Sequence, residues 1–129
     1  MKIYCGTDII EVDRIKQAIL STNGFKEKAF TGAEISYAET KCDTAKYQTY
    51  AGRFAAKEAI YKSLSKVDSS LALLDIEILN DKSLHNRPYC ILHNTHLQKL
   101  QDEGKLSIDV SISHVQETAI AHAISTFEG

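Results

Sequence analysis

The longest regular pattern in the sequence is helical and covers residues 43–66. Its apolar side chains recur three or four positions apart, which is the spacing of an amphipathic helix. These positions are Tyr47, Ala51, Phe54, Ala55, Ala59 and Leu64. Alanine, the strongest helix former, is abundant in the segment, and Gly52 is its one weak position. The pattern therefore predicts one long central helix.

Shorter patterns on either side of this helix indicate the fold class. β-Branched or alternating apolar residues predict strands at residues 3–10, 75–79, 89–93, 106–113 and 118–126. Helical spacing predicts shorter helices at residues 11–20, 32–41 and 95–103, and residues 80–88 are predicted to form a turn. Thr31 and Glu34 fit the capping-box pattern at the start of the second of these helices. Because the helices precede a run of adjacent strands, we predict an α+β fold with an antiparallel-rich sheet.

Composition excludes several classes of protein. With 129 residues, 43% of them hydrophobic and 25% charged, the chain is expected to form a single folded domain over residues 1–129. A net charge of −2 argues against a general nucleic-acid binder. No apolar run approaches the ~18 residues of a membrane-spanning helix, and no signal-peptide core precedes Asp8. Three widely spaced cysteines without a CxxC pair suggest reduced thiols, so we expect a cytoplasmic protein.

The long helix carries a pair of charges that could bind a metal and a phosphate. Glu58 and Lys62 are four residues apart, so they lie on one face with an axial rise of about 6 Å. Glu58 could hold a divalent cation while Lys62 contacts a phosphate bound to that cation, as in many Mg²⁺ sites. A helix-surface ion pair is the simpler interpretation of these two residues alone.

A second carboxylate lies in the first predicted strand. Asp8 is flanked by apolar or β-branched residues and shares a face with Gly6, and a strand glycine often marks close approach of a ligand or another backbone. An aspartate there needs a cation, a donor cluster or exposure, because burying it alone is costly. It could equally cap the following helix. His114, at the end of a predicted strand, is a further candidate ligand group.

Three segments together resemble the holo-acyl-carrier-protein synthases, which are small single-domain 4′-phosphopantetheinyl transferases. They are CGTDI at residues 5–9, FAAKEAIYK at residues 54–62 preceded by Arg53, and VSISH at residues 110–114. The order and separation of the segments match the family, and the resemblance covers nearly the whole chain. This chain has residues 65–68 (SKVD) where the family usually has glycines, Asn86-Arg87 before Pro88 where it usually has Gly-Lys, and Val115 where Thr is common.

The resemblance implies a 4′-phosphopantetheinyl transferase fold and a set of site residues. Asp8 and Glu58 would bind Mg²⁺, or Mn²⁺, which accepts the same oxygen ligands. Lys62 would contact the phosphates of coenzyme A, with further coenzyme A contacts from Arg53, Lys57, Pro88 and His114. Arg14 would meet the acidic acyl carrier protein, and the family forms homotrimers with active sites at subunit interfaces.

The implied reaction transfers 4′-phosphopantetheine from coenzyme A to a serine hydroxyl of an apo acyl carrier protein and releases adenosine 3′,5′-bisphosphate. Glu58 and Lys62 would be its catalytic residues, and the base could be a metal-bound water or Glu58 acting through one. The carrier could belong to fatty-acid, polyketide or peptide synthesis. Three alternatives stay open: a module that binds coenzyme A or a nucleotide without chemistry, a structural trimer, and a metal-dependent hydrolase.

Overall fold

Two antiparallel sheets and five α-helices build the fold, as seen in a computed structural model that describes residues 1–128. The strands are β1 (Lys2–Glu11), β2 (Ile76–Asp81), β3 (Arg87–Leu92), β4 (Leu106–His114) and β5 (Thr118–Phe127). The helices are α1 (Val12–Ser21), α2 (Phe25–Ala29), α3 (Gly32–Glu39), α4 (Asp43–Leu64) and α5 (Thr95–Asp102). Short 3₁₀ turns occur at Leu73–Asp75 and Lys82–Leu84. The predicted α+β class and the long central helix are confirmed.

The long helix α4 lies on one face of a three-stranded sheet with the order β1-β5-β4. The central strand β5 turns Ala119, Ala121 and Ala123 toward the helix, and all three are fully buried. Their small side chains, with several buried alanines on α4, let the helix approach the sheet closely. The core between them holds the larger apolar side chains of α4, β2, β3 and β4. This packing fixes which α4 side chains point toward each neighbouring strand.

The second sheet is the hairpin of β2 and β3, which packs beside α4 and β4. The turn is shorter than the predicted residues 80–88, because β2 extends to Asp81 and β3 already begins at Arg87. His85 and Asn86 close the hairpin with positive φ angles of 56° and 61°, a conformation that His and Asn tolerate better than most residues. Pro88 therefore lies in a strand and not in the turn.

The segment between α1 and α4 holds one helix that the sequence did not reveal. Helix α2 is only five residues long, so it has too few positions to show a helical period. The predicted capping box at the start of α3 is confirmed: Thr31 Oγ1 accepts from the Glu34 amide at 3.3 Å, and Glu34 Oε1 accepts from the Thr31 amide at 2.8 Å. Over residues 1–128, no helix combines the length and apolar character needed to span a bilayer.

Candidate active site

A close contact between β1 and α4 brings the two predicted metal ligands into one region. Gly6 of β1 packs so tightly on α4 that a Cβ atom there would lie 1.9 Å from the carbonyl oxygen of Ala59 and 3.0 Å from Cβ of Lys62. Asp8 follows on the same face of β1, because side chains of a strand alternate between its two faces. The strand glycine thus marks the approach of another backbone, and Asp8 faces the helix that carries Glu58.

Lys62 connects the helix to Asp8. Its Nζ atom donates to the carbonyl oxygen of Thr7 at 2.9 Å and lies 3.3 Å from Oδ1 of Asp8. The lysine therefore pairs with the carboxylate of β1. The simpler interpretation of Glu58 and Lys62 was an ion pair along the helix surface. In the structure the ammonium group of Lys62 points instead toward Asp8.

Glu58 completes the group. Its side chain is half-buried, and burial raises the pKa of its carboxyl group, with the negative charge of Asp8 raising it further and Lys62 opposing both. A positive ion between the two carboxylates would relieve that repulsion. Within residues 1–128, no three His, Cys, Asp or Glu side chains cluster as a metal site. Two carboxylates are what Mg²⁺ commonly takes from a protein, with water and substrate phosphates as the other ligands, so the residues fit that ion.

A small apolar cavity of about 150 Å³ opens beside Glu58. Its other walls are Tyr61 on α4 and the segment that follows this helix, through Leu71, Ala72, Leu73 and Ile76. The hydroxyl of Tyr61 donates to the carbonyl oxygen of Ser69 at 2.8 Å and so ties the start of this segment to the helix. Glu58 therefore borders apolar side chains, and burial desolvates its carboxyl group.

Three of the predicted coenzyme A contacts, Arg53, Pro88 and His114, line a second cavity of about 200 Å³. Arg53 is only 7% exposed, it stacks on Tyr37 at 5.0 Å, and it donates to the side-chain oxygen of Asn80. Among the described residues, its Nε atom is a buried donor without an acceptor. A buried donor of this kind is costly unless a ligand or water accepts from it. Tyr37 and Asn80 are contributors to this cavity that sequence reasoning missed.

Helix α4 separates the group of Asp8, Glu58 and Lys62 from the second cavity. Arg53 and Glu58 are five residues apart, so at about 100° per residue they point some 140° apart around the helix axis. The Asp8–Lys62 pair lies at β1, and the second cavity lies toward β4, where Gly52 of α4 packs against Ile112. The sheet order β1-β5-β4 places these two edges on opposite sides of the helix. One subunit therefore presents two separate groups of predicted ligand residues.

Lys57, also predicted to contact coenzyme A, lies in the core and not in either cavity. It is fully buried, and its Nζ atom forms an ion pair of 2.6 Å with Glu34. Burial lowers the pKa of Lys57, and the charge of Glu34 opposes that effect. The spacing of Arg53 and Lys57 on one helix face is as predicted, but that face turns toward α3 and β2. In this structure the position of Lys57 contradicts a direct contact with a bound ligand.

The remaining predicted residue, Arg14, lies on the exposed side of α1. Nearby cations are partly engaged within the fold, since Lys16 lies 5.4 Å from the ring of Tyr47 and Lys26 lies 3.5 Å from Glu39. The cysteines are free, and burial raises the pKa of Cys90 to about 12, which suits a packed thiol and not a nucleophile.

Comparisons with known proteins place this arrangement in a family. Residues 4–122 match the model of the 4′-phosphopantetheinyl transferase superfamily. Holo-[acyl-carrier-protein] synthase of Ruminiclostridium cellulolyticum is 44% identical over 128 residues, covering 96% of this chain and 92% of the relative. The corresponding synthase of Clostridium tetani is 40% identical over 124 residues, covering 96% and 95%.

Solved structures agree with that placement. The Bacillus anthracis holo-(acyl-carrier-protein) synthase in complex with CoA (3′,5′-ADP) superimposes with a TM-score of 0.78 at 29% identity, covering 97% of this chain and 96% of that one. The ACPS–CoA complex from Chronobacterium ammoniagenes has a TM-score of 0.82, covers all of both chains, and at 24% identity shows the fold alone. The chain belongs to the 4′-phosphopantetheinyl transferase superfamily and is an enzyme of its holo-[acyl-carrier-protein] synthase family.

Proposed function

We propose that this enzyme transfers 4′-phosphopantetheine from coenzyme A to a serine hydroxyl of an apo acyl carrier protein and releases adenosine 3′,5′-bisphosphate. The observation that carries the proposal is the convergence of Asp8, Glu58 and Lys62 at the contact between β1 and α4. Two carboxylates and one ammonium group suit a Mg²⁺-held pyrophosphate. The relatives named above as synthases and the solved complexes with CoA support the substrate.

The residues of the chain divide the work of the transfer. Asp8 and Glu58 would hold Mg²⁺, which supplies charge neutralisation at the pyrophosphate oxygens. The ammonium group of Lys62, which pairs with Asp8 in this structure, would place its charge against a phosphate oxygen of coenzyme A. The serine oxygen forms a bond to the β-phosphorus, and the bond from that phosphorus to the departing adenosine 3′,5′-bisphosphate breaks. Glu58 takes the serine proton through a water molecule, a role that its raised pKa favours.

The adenosine end of coenzyme A would bind in the second cavity. There the unpartnered Nε of Arg53 and the ring of His114 can meet phosphate oxygens, and Pro88 offers an apolar surface to the adenine. Because α4 stands between this cavity and Glu58, a single coenzyme A molecule is best shared by two subunits. The separation therefore supports an active site at a subunit interface, as in the homotrimer that the family resemblance implies.

The outer face of the three-stranded sheet is the surface we assign to that trimer. It exposes Ile3, Ile9, Ile120 and Ile124, and Ile9 is 66% exposed directly opposite Ile120. At its centre Thr7 bonds to the ring of His122 at 2.9 Å. Exposed apolar patches of this kind are typical of protein interfaces.

We expect Ile124→Glu to break the trimer, because the glutamate would have to be buried without a partner. Size-exclusion chromatography with light scattering should show three times the monomer mass for the unchanged protein and a smaller species for the variant. Leu84→Glu is the matched control, since Leu84 is 56% exposed in the turn between β2 and β3. An unchanged mass for Ile124→Glu, or a monomeric unchanged protein, would contradict the assignment.

Arg14 is proposed to attract the acidic carrier protein. We expect Arg14→Glu to raise KM for the carrier about tenfold with little change in KM for coenzyme A, because charges at the rim of an interface mainly steer the encounter. Steady-state kinetics at several salt concentrations would measure this, and the unchanged enzyme should slow as ionic strength rises. A transfer rate independent of salt would show that Arg14 does not attract the carrier protein.

The experiment that tests the proposed function is incubation with coenzyme A, Mg²⁺ and apo carrier protein, followed by intact mass spectrometry. A mass increase equal to phosphopantetheine on the carrier, with adenosine 3′,5′-bisphosphate in solution, is the expected result. Binding of adenosine 3′,5′-bisphosphate without any modified carrier would indicate a binding module. Cleavage of coenzyme A without carrier would indicate a hydrolase.

A further inference from the structure

The core contains an ion pair that the proposed reaction does not use. Lys57 and Glu34 are both fully buried, and 2.6 Å separates Nζ from Oε1. Lys57 Nζ also donates to the carbonyl oxygens of Ala29 at 2.8 Å and Leu73 at 3.0 Å. Glu34 accepts from the Ile78 amide at 2.8 Å, as well as from its capping-box partner. Both buried charges therefore have an opposite charge and further hydrogen bonds, which a buried ion pair needs to offset its loss of water.

These contacts fix the wall of the cavity beside Glu58. Leu73 and Ile76 form that wall, and the ion pair holds the chain at both of its ends, at the carbonyl of Leu73 and at the amide of Ile78. The residue that does so, Lys57, is the immediate neighbour of Glu58 on α4. The buried ammonium group therefore connects the helix of Glu58 directly to the wall of its cavity.

A requirement for stability alone does not account for a charged pair in this place. Replacing a buried ion pair with apolar side chains of similar volume often leaves a fold equally stable or more stable. An ion pair with directed hydrogen bonds selects one orientation of the groups it joins, and apolar packing does so less strictly. Here the groups joined are the helix of Glu58 and the segment facing Glu58.

We propose that Lys57 and Glu34 are positioning residues for Glu58, holding the wall of its cavity in place, and that Lys57 does not contact coenzyme A. The proposal rests on the proposed function, because it assigns the pair to the presentation of Glu58 during transfer. It predicts a loss of kcat with the binding of coenzyme A preserved. Outer residues that orient functional groups typically affect activity by about 10–100-fold.

The test compares Lys57→Met and Glu34→Gln with the unchanged enzyme. We expect each variant to lower kcat at least about tenfold while the Kd for coenzyme A, measured by calorimetry, stays within about threefold, which is under 1 kcal/mol. Ser63→Ala is the matched control: it removes another buried polar contact of α4, the 2.6 Å hydrogen bond to Ser125 on the sheet side. Ser63→Ala should lower the Tm and leave kcat unchanged.

Two other outcomes would overturn the proposal. Loss of coenzyme A binding in Lys57→Met but not in Glu34→Gln would make Lys57 a ligand contact. If Lys57→Met and Glu34→Gln lower the Tm but keep the kcat of Ser63→Ala, the ion pair has a purely structural role. If Lys57→Met does not fold, Glu34→Gln alone tests the proposal. Its glutamine side chain on α3 keeps one oxygen that can accept from the Ile78 amide. Failure of the proposed function would appear separately, as an unchanged enzyme that does not modify the carrier.

Discussion

Glu58→Gln should reduce transfer of phosphopantetheine at least about 100-fold, the lower end of the usual contribution of general acid–base catalysis. The substitution keeps the shape of the side chain but removes both a carboxylate that would bind Mg²⁺ and the group that would take the serine proton. The measurement is the rate of carrier modification under saturating coenzyme A and Mg²⁺. A variant as fast as the unchanged enzyme would exclude Glu58 from the reaction.

The same substitution should make the protein more stable at neutral pH. The pKa of Glu58 is higher in the folded chain than in the unfolded one, so folding disfavours its ionised form. Below the unfolded pKa of about 4.3, Glu58 is neutral in both states and costs nothing. The cost grows as pH rises through the folded pKa and is then fully present, so a glutamine there removes it.

The Tm of Glu58→Gln should therefore exceed that of the unchanged protein at pH 7, and the two values should converge as the pH is lowered toward 4.

Glu39→Gln provides the opposite case. A hydrogen bond from Tyr50 at 2.5 Å, with Lys26 and Lys46 nearby, lowers the pKa of Glu39. Its carboxylate therefore stabilises the fold at neutral pH, and Glu39→Gln should lower the Tm without changing the rate of transfer.

Gly6→Ala should have the largest effect on the fold. The new Cβ would lie 1.9 Å from the carbonyl oxygen of Ala59, and because that oxygen belongs to helix backbone, β1 must move away from α4. Overpacking of this kind costs about 1–3 kcal/mol and sometimes more. Activity should fall by more than the loss of folded protein explains, because Asp8, two residues further along β1, moves away from Lys62 and Glu58 as well.

Urea denaturation and the rate of transfer per folded molecule would measure both effects. Gly32→Ala is the matched control, since Gly32 lies in α3 with no atom within 4 Å of an added Cβ. It should be as stable as the unchanged protein or more stable, because alanine favours a helix. Equal stability of Gly6→Ala and Gly32→Ala would show that β1 and α4 can separate without penalty.

Local periodicity was enough to predict most of the secondary structure. The long helix, the alternating strands and the capping box at Thr31 each depend on spacing within a few residues, so the sequence displays them directly. Helix α2 was missed because five residues contain barely more than one turn. Pro88 lies in β3 and not in the predicted turn, because a proline is compatible with the end of a two-stranded sheet.

The site was less predictable, because its geometry depends on residues far apart in the chain. Spacing along α4 showed that Arg53 and Lys57 share a face, but the direction of that face depends on Glu34 and Asn80. The tight packing of Gly6 against Ala59, which turns Asp8 toward Lys62, is likewise a property of two distant segments. Spacing and the family resemblance named the residues, and only the fold showed which of them face a cavity.

The position of α4 between the carboxylates and the second cavity has a consequence for how this enzyme responds to dilution. If two subunits share each site as proposed, a lone subunit holds the carboxylates of one site and the phosphate-binding groups of another, and neither site is complete. With sites shared as proposed, the specific activity would not be constant per milligram of protein. It would fall once the concentration drops below the dissociation constant of the assembly, since mass action then separates the halves.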